Sequence, residues 1–509
     1  MKASIQFFFK VILLAVSMSL AVVLPSEAKP FIVNFDTSPS SLDAHVAQFG
    51  TDNNYFKQMI EPLVEMDLNG NPIPCLAVSW ESNDLKTWTF YLRKGVKFHD
   101  GTPFNADAVK FNIERLQNPE TKSGFQSVAK TIQKVEVVDN YTIRMILDES
   151  NVDFPLTLQD RVGSIASPTA VKKYGKDFGR NPVGTGPFVF VSWKNDDSVT
   201  MKRNPDYWAK ERVFLDDVII KIVPDRNVAA MNLQAGQADL LMNVAPEHLP
   251  GLEADPKLKV YHRASLEFTC LYFIRMHSSP GLEMSYPKKE VRQALAYAID
   301  VDAISKALYF GKAKSSKSIF PEGFWAYEPN VTDYTKSNVA KAKELLTKAG
   351  YPNGVELKYT SVTLFPFNRI AEIVKQQAAK AGIKLNLEII GLNQAMQDTM
   401  LNKTNILGLG WSGKTSPDMT LQALVHSKGN YNNKNYANPE VDRLIAEGRS
   451  TADINKRKKA YSQIQKILAE DLPIIPILHM PMFYAAKKEV SGIKLYNDLK
   501  LRLLDVKAN

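Results

Sequence analysis

The stretch that decides the fold class is PCLAVSWESNDLKTWTFYLRKGVKFHDGTPFNADAV, residues 74–109. Within it, residues 87–93 are rich in β-branched and aromatic side chains, which suit a pleated, half-buried surface, and they predict a strand. Asp100 and Gly101 predict a turn that leads Thr102 and Pro103 into a helix starting near Ala106. Further along, residues 134–138 and 141–147 flank Asp139 and Asn140 as a β-hairpin, and 217–223 is another β-rich run. Residues 337–349 place Val339, Ala342, Leu345, Leu346 and Ala349 at helical spacing, with Ser337 as N-cap and Gly350 as stop. Residues 368–381 repeat that design, with Ile370, Ile373, Val374 and Ala378 on one face and Gly382 at the end. A strand over 384–390 follows. Residues 454–470 predict a helix with Tyr461, Ile464, Ile467 and Leu468 inward, closed by Pro473 ahead of the apolar run 474–478. Strands and helices alternate irregularly, as in an α/β protein. There is no internal repeat and no long Gly/Ser linker, so domains must pack together or share crossing segments.

The 509 residues are 45% hydrophobic, 10% aromatic and 23% charged, which excludes a disordered, collagenous or disulfide-stapled chain. At roughly 150 residues per domain, about three domains are expected. Lys2 and Lys10 flank a short basic region, and an apolar run over 11–24 follows, ending at Pro25 and the triplet Ser26, Glu27, Ala28. This predicts a secretory signal peptide over 1–28, cut after Ala28. The run is shorter than the ~20 residues a helix needs to cross a bilayer core. No cysteine stands at the cleavage point to carry a lipid, so a soluble periplasmic protein is expected. The formal charge of +9 suggests a nucleic-acid surface. It barely changes on cleavage, which would remove two cations and one acid and leave +8 (61 against 53). Cys75 and Cys270 are either bridged or two buried thiols.

The usual catalytic signatures are missing. Seven histidines, at 45, 99, 248, 262, 277, 426 and 479, form neither HExxH nor HxH. Gly410, Trp411, Ser412 and Gly413 begin a nucleophile elbow, but Lys414 stands where its last glycine is needed. No phosphate-binding glycine loop is present, and the two cysteines have no zinc-site spacing. A secreted hydrolase is therefore disfavoured, and neither cofactor nor metal is expected.

The 74–109 stretch, with NPVGTGPF (181–188), RNPDYW (203–208), VRQALAYAID (291–300), YANPEVDRLI (436–445) and AEDLPIIPI (469–477), resembles the extracytoplasmic solute-binding proteins of ABC importers, family 5. Peptide, nickel and glutathione receptors belong to it. The motifs occur in the expected order across the chain after the targeting segment. Physically, Gly184 and Gly186 read as a bend using backbone conformations closed to other residues. Tyr207 and Trp208 read as core-filling aromatics, and His99 as a hydrogen-bonded turn residue. The resemblance implies a type II periplasmic-binding-protein-like fold: two lobes, interlobe hinge strands and an extra third domain. By analogy, domain I comprises 29–72, 182–272 and 480–509, domain II is an insertion over 73–181, and domain III spans 273–479. Ligand would be captured between domains I and III by hinge closure. The loaded receptor, a monomer, would dock on an inner-membrane permease with ATPase subunits, and nucleic acid would not be a partner.

Residues 408–418, GLGWSGKTSPD, are similar to the family's ligand-contact strand and loop. Its peptide-binding members have an aspartate three positions after the tryptophan to pair the peptide ammonium. Here Trp411 is followed at that distance by Lys414, so that clamp is missing. Asp418 either substitutes for it or caps the helix beginning near Met419. Where dipeptide receptors have Arg-Pro-Tyr, this chain has Phe365, Pro366 and Phe367. Arg275 replaces a residue that is commonly asparagine. Lys414 and Arg275 either face the cleft and await an anionic group, or are two of many surface cations. Trp411, Phe365 and Phe367, with Phe49, would supply apolar walls. The expected solute is peptide-like or another small organic molecule with an acid group; a nickel or haem chelate is the alternative.

Overall fold

The computed structural model describes residues 29–274, 288–429, 431–432 and 436–508. The expected targeting segment and Arg275 lie outside the described residues. Eleven strands form one large sheet. They are β1 (Phe31–Phe35), β2 (Phe188–Lys194), β3 (Ser198–Arg203), β4 (Asp217–Ile222), β5 (Leu240–Leu241), β6 (Leu258–Phe273), β7 (Lys314–Ser315), β8 (Val355–Val362), β9 (Ile383–Ile390), β10 (Ile406–Trp411) and β11 (Ile474–Lys487). The spatial order is β9-β8-β10-β6-β11-β5-β1-β4-β3-β2, with β7 on β11.

Two parallel cores stand at opposite ends of this order. At one, β1 pairs in parallel with β4 and β5; at the other, β8 pairs in parallel with β9 and β10. The long strands β6 and β11 join them. They run antiparallel from Leu258↔Lys487 to Tyr272↔Ile474, with the register broken between Ala264 and Phe268. On one side of the break β5 pairs with Ala485 and Ala486 of β11. On the other, β10 pairs with residues 268–273 of β6. The break therefore marks the change from the first lobe to the second, and an unpaired bulge is where a sheet bends most readily.

Separate apolar cores fill the parts. One runs through β1, β3, β4 and the C-terminal segment. A second fills the β8–β10 lobe and reaches back to Ala229–Leu252. A third spans Leu63 to Ile165. It lies against a four-stranded sheet ordered Ala77–Glu81, Thr87–Leu92, Thr142–Leu147, Ile132–Asp139. The helix α1 (Ala106–Gln117), whose N-cap Asn105 accepts from Ala108 N–H, contributes Val109, Ile113 and Leu116 to the same core. Phe90, Phe104 and Phe154 are essentially inaccessible there, each contributing about 2–3 kcal/mol of hydrophobic stabilisation. Packing places Leu63 and Val64 in this core but Ala166, Ala170 and Phe178 in that of the first lobe. The small domain's apolar frontier thus lies inside and ahead of the expected 73–181 limits.

Local expectations meet the structure closely. The helix Val339–Lys348 ends before Gly350 at φ +89, and Phe367–Lys380 ends before Gly382 at φ +85. The cap of the first is Asn338, whose side chain accepts from Lys341 N–H, and not Ser337. The hairpin turn is shifted by one: Asp139 pairs with Thr142, leaving Asn140 and Tyr141 as the turn. Asp100 accepts from Thr102 and from Ser167 Oγ at 2.5 Å, so the turn before α1 also fastens the N-cap of the helix Pro168–Tyr174. Gly184 and Gly186 are glycine for a different reason from the one expected. Neither has positive φ; a Cβ at Gly184 would stand 2.2 Å from Met59 O, and one at Gly186 2.7 Å from Gln58 O. Tyr207 and Trp208 do more than fill space, donating to buried Glu61 at 2.6 and 3.1 Å. No disulfide joins Cys75 to Cys270, which are buried in different cores.

Candidate functional site

The register break of β6 and the C-terminal end of β10 bring the two lobes together. In β10 the sequence ILGLGW alternates bulky side chains with glycine, and the glycines are sites of close approach. A Cβ on Gly410 would lie 3.0 Å from both Phe268 O and the Phe367 ring. The Phe367 ring therefore rests directly on the strand, just before Trp411. Trp411 sits opposite Phe268 and is mostly buried. Tyr431 meets it edge-on, with centroids 5.2 Å apart. Phe367 opens the helix α2 (Phe367–Lys380), and its carbonyl accepts from Ser361 Oγ at 3.2 Å. Phe365, half-exposed, has its ring 6.1 Å from that of Tyr309. Phe367 thus packs on β10 at Gly410, Trp411 at the next position meets Tyr431, and Phe365 meets Tyr309.

The first lobe contributes polar groups. Asp36, just past β1, accepts from Arg226 at 3.0 Å and from Asn243 at 3.1 Å. Arg226 lies within electrostatic reach of the Tyr309 hydroxyl, whose pKa burial pushes up and Arg226 draws down. Phe49 is 56% exposed, and its carbonyl accepts from Arg161. The neighbouring Gly50 carbonyl accepts from Lys500 Nζ at 2.6 Å.

Lys414 has its Nζ 5.7 Å from the Trp411 ring centroid, within cation–π distance. It also acts electrostatically on Glu267 of β6, as does Lys500. Lys414 and Trp411 are therefore brought together, and Lys500 stands beside Gly50, the residue after Phe49. Asp418 goes elsewhere. The helix α3 (Pro417–Leu424) is capped by Ser416, whose Oγ accepts from Met419 N–H at 3.3 Å, so Asp418 is not the cap. Its buried carboxylate lies 3.5 Å from Arg449, and burial raises its pKa to about 6. Next to it, Arg457 grips both oxygens of Asp153 at 2.6 and 2.7 Å, and Ser416 Oγ donates to the same carboxylate. Asp153 comes from the small domain, so Asp418 belongs to the contact between that domain and the second lobe, and its expected role as ammonium anchor is corrected accordingly.

Glu267 and Lys500 escaped the sequence reading. Glu267 did leave a signal, as the single charged residue between Arg263 and Arg275 in an otherwise uncharged and mostly apolar run. Lys500 left none, being one cation among many near the C-terminus. His45 and His479 are buried and His99 half-buried, with pKa values lowered to about 4 by desolvation, each ring facing a backbone carbonyl. Among the described residues no group of three His, Cys, Asp or Glu side chains is placed to hold a metal ion. No described helix is long and apolar enough to cross a membrane.

The sequence model of bacterial extracellular solute-binding proteins, family 5 Middle, matches residues 71–433. The chain is 31% identical over 509 residues to di/tripeptide-binding protein 1 of Pseudomonas aeruginosa strain UCBPP-PA14, covering 93% of each chain. It is 34% identical over 468 residues to heme-binding protein A of Haemophilus influenzae, covering 86% of this chain and 84% of that one. Among solved structures, HbpA2 from Haemophilus parasuis superimposes with a TM-score of 0.86 at 27% identity, over 94% of this chain and 100% of that one.

Proposed function

The chain belongs to the bacterial extracellular solute-binding proteins of family 5, and from that premise we propose that it is a periplasmic receptor for a peptide-like solute bearing an acid group. The carrying observation is that aromatic side chains and cations meet at the crossing strands: Lys414 lies over Trp411, Phe367 packs on Gly410 of the same strand, and Lys500 is hydrogen-bonded to Gly50, the residue after Phe49. The aromatic faces cover the apolar body of a solute, and the ammonium groups pair its acid. Domains I and III turn about the β6/β11 break and close over it. Solute shifts the population toward the closed form only by its preference for that form. The closed receptor delivers its cargo to an inner-membrane ABC permease driven by ATPase subunits. Residues 1–28 direct export and are removed. The chain transfers solute unchanged and acts as a monomer.

Native mass spectrometry of protein purified without refolding tests this reading, because closure traps cargo. An adduct with the mass of a small peptide or amino-acid derivative supports it. An adduct with the mass of haem or a nickel chelate redirects it to the binding named for the Haemophilus influenzae relative or to a metal carrier. Incubation with a solute pool is expected to deplete one component stoichiometrically; appearance of products would establish an enzyme instead.

A further inference from the structure

Glu267 lies in the register break between Ala264 and Phe268, where β6 passes from one lobe to the other. Its backbone N–H is held by Ser265 Oγ at 3.1 Å. The adjoining Leu266 is pinned from both sides. Its N–H donates to Asn497 O at 3.3 Å, and Gly413 approaches so closely that a Cβ there would stand 2.2 Å from the Leu266 backbone. Glu267 is thereby fixed between the C-terminal segment of the first lobe and the 411–414 loop of the second. The cations acting on it come from those two segments, Lys500 from one and Lys414 from the other. Neither closes to an ion pair: among the described residues, no cation lies within 4.0 Å of the Glu267 carboxylate. Lys500 donates a hydrogen bond to Gly50 O, and Lys414 leans over Trp411. A half-buried carboxylate without a direct partner is costlier to keep ionised than an exposed one, and burial raises its pKa accordingly.

Resting on the peptide-like reading above, we propose that Glu267 is the ammonium anchor of the cleft and that Lys414 and Lys500 flank it as anchors for an acid group. The solute class is then a small zwitterion with a free amine and an acid close together. The acidic anchor has moved from the loop after Trp411 to the crossing strand beside that loop. An ammonium would complete the charge-assisted hydrogen bonds that Glu267 lacks, and the two lysines would repel a solute that is cationic only. The anchor's place at the lobe boundary also puts the bound charge where both lobes contribute to it.

Calorimetric titration of the full receptor with alanyl-glutamate and N-acetyl-alanyl-glutamate tests the assignment. The wild type is expected to prefer the free amine by at least about tenfold. Glu267→Gln should weaken alanyl-glutamate by about 10- to 100-fold and leave the acetylated peptide within about twofold, abolishing the preference. Glu267→Asp keeps the charge and should keep part of the preference, which separates a charge effect from lost packing. Equal affinity of wild type and Glu267→Gln for alanyl-glutamate overturns the anchor and leaves the receptor reading standing. So does a wild type indifferent to acetylation, an outcome that decides the matter even if Glu267→Gln does not fold. A wild type that binds neither peptide overturns both the anchor and the peptide-like reading.

Discussion

The two ends of the loop after Trp411 use charge in opposite ways. At its far end Asp153 and Arg457 are paired through two hydrogen bonds, with side chains only 4% and 8% exposed, and Ser416 adds a third. At its near end Lys414 and Lys500 act electrostatically on Glu267 from segments on the two sides of the lobe boundary, and among the described residues neither forms an ion pair with it. Saturated charges buried between domains serve architecture, because leaving either one alone would strand a charge away from water. Charges held near each other but unpaired are available to a partner from outside. The same short loop thus fastens the small domain to the second lobe at one end and carries at the other the cation proposed above to meet the solute.

The largest expected effect breaks the paired end. Arg457→Ala should lower stability by about 3–5 kcal/mol, since it leaves Asp153 buried and uncompensated, and urea unfolding measures this. Replacing both Arg457 and Asp153 by apolar residues of similar volume should recover much of that loss, and failure to recover would show that the pair does more than satisfy itself.

Asp418 sharpens the same contrast through pH. Its pKa is raised from 3.8 to about 6, so between those values the folded chain holds the proton more tightly than the unfolded one. Stability contributed by protonated Asp418 is therefore present at low pH and lost as pH rises through that window, by up to about 3 kcal/mol. Asp418→Asn should remove this slope from unfolding curves compared at pH 4, 5 and 7; an unchanged slope would place its origin elsewhere.

At the unpaired end, effects should fall on binding. Lys414→Asp is expected to weaken an acidic solute by about a hundredfold, or about 3 kcal/mol, while changing stability by less than about 0.5 kcal/mol. Unchanged affinity would remove Lys414 from the site. Phe49→Ala is the smallest perturbation. With its ring 56% exposed on the first lobe, it should cost about 1 kcal/mol of affinity or less, and a loss like that of Lys414→Asp would mean that closure buries it as a principal contact.

Much of the fold was legible because it depends on neighbours in sequence. Helix ends at Gly350 and Gly382 follow from backbone freedom at single positions. The strand over 87–92 and the helix from Ala106 follow from side-chain shape and spacing. The ordered motifs carried the family, and the pairing of an aromatic with a lysine at 411 and 414 was visible as a departure from its pattern. Asp418 was misread because a turn-flanking acid looks the same in sequence whether it faces a cleft or a neighbouring domain.

Local chemistry by itself determined where strands and helices lie, and the order of motifs determined the family and the loop on which to look. Tertiary structure alone decided which charges are satisfied. Asp153 and Arg457 meet only because the small domain packs on the second lobe. Glu267, Lys414 and Lys500 converge only because the crossing strand breaks register between the 411–414 loop and the C-terminal segment. Whether a charge holds the fold or waits for a solute depends on distance and burial, and those are set by contacts between segments remote in sequence.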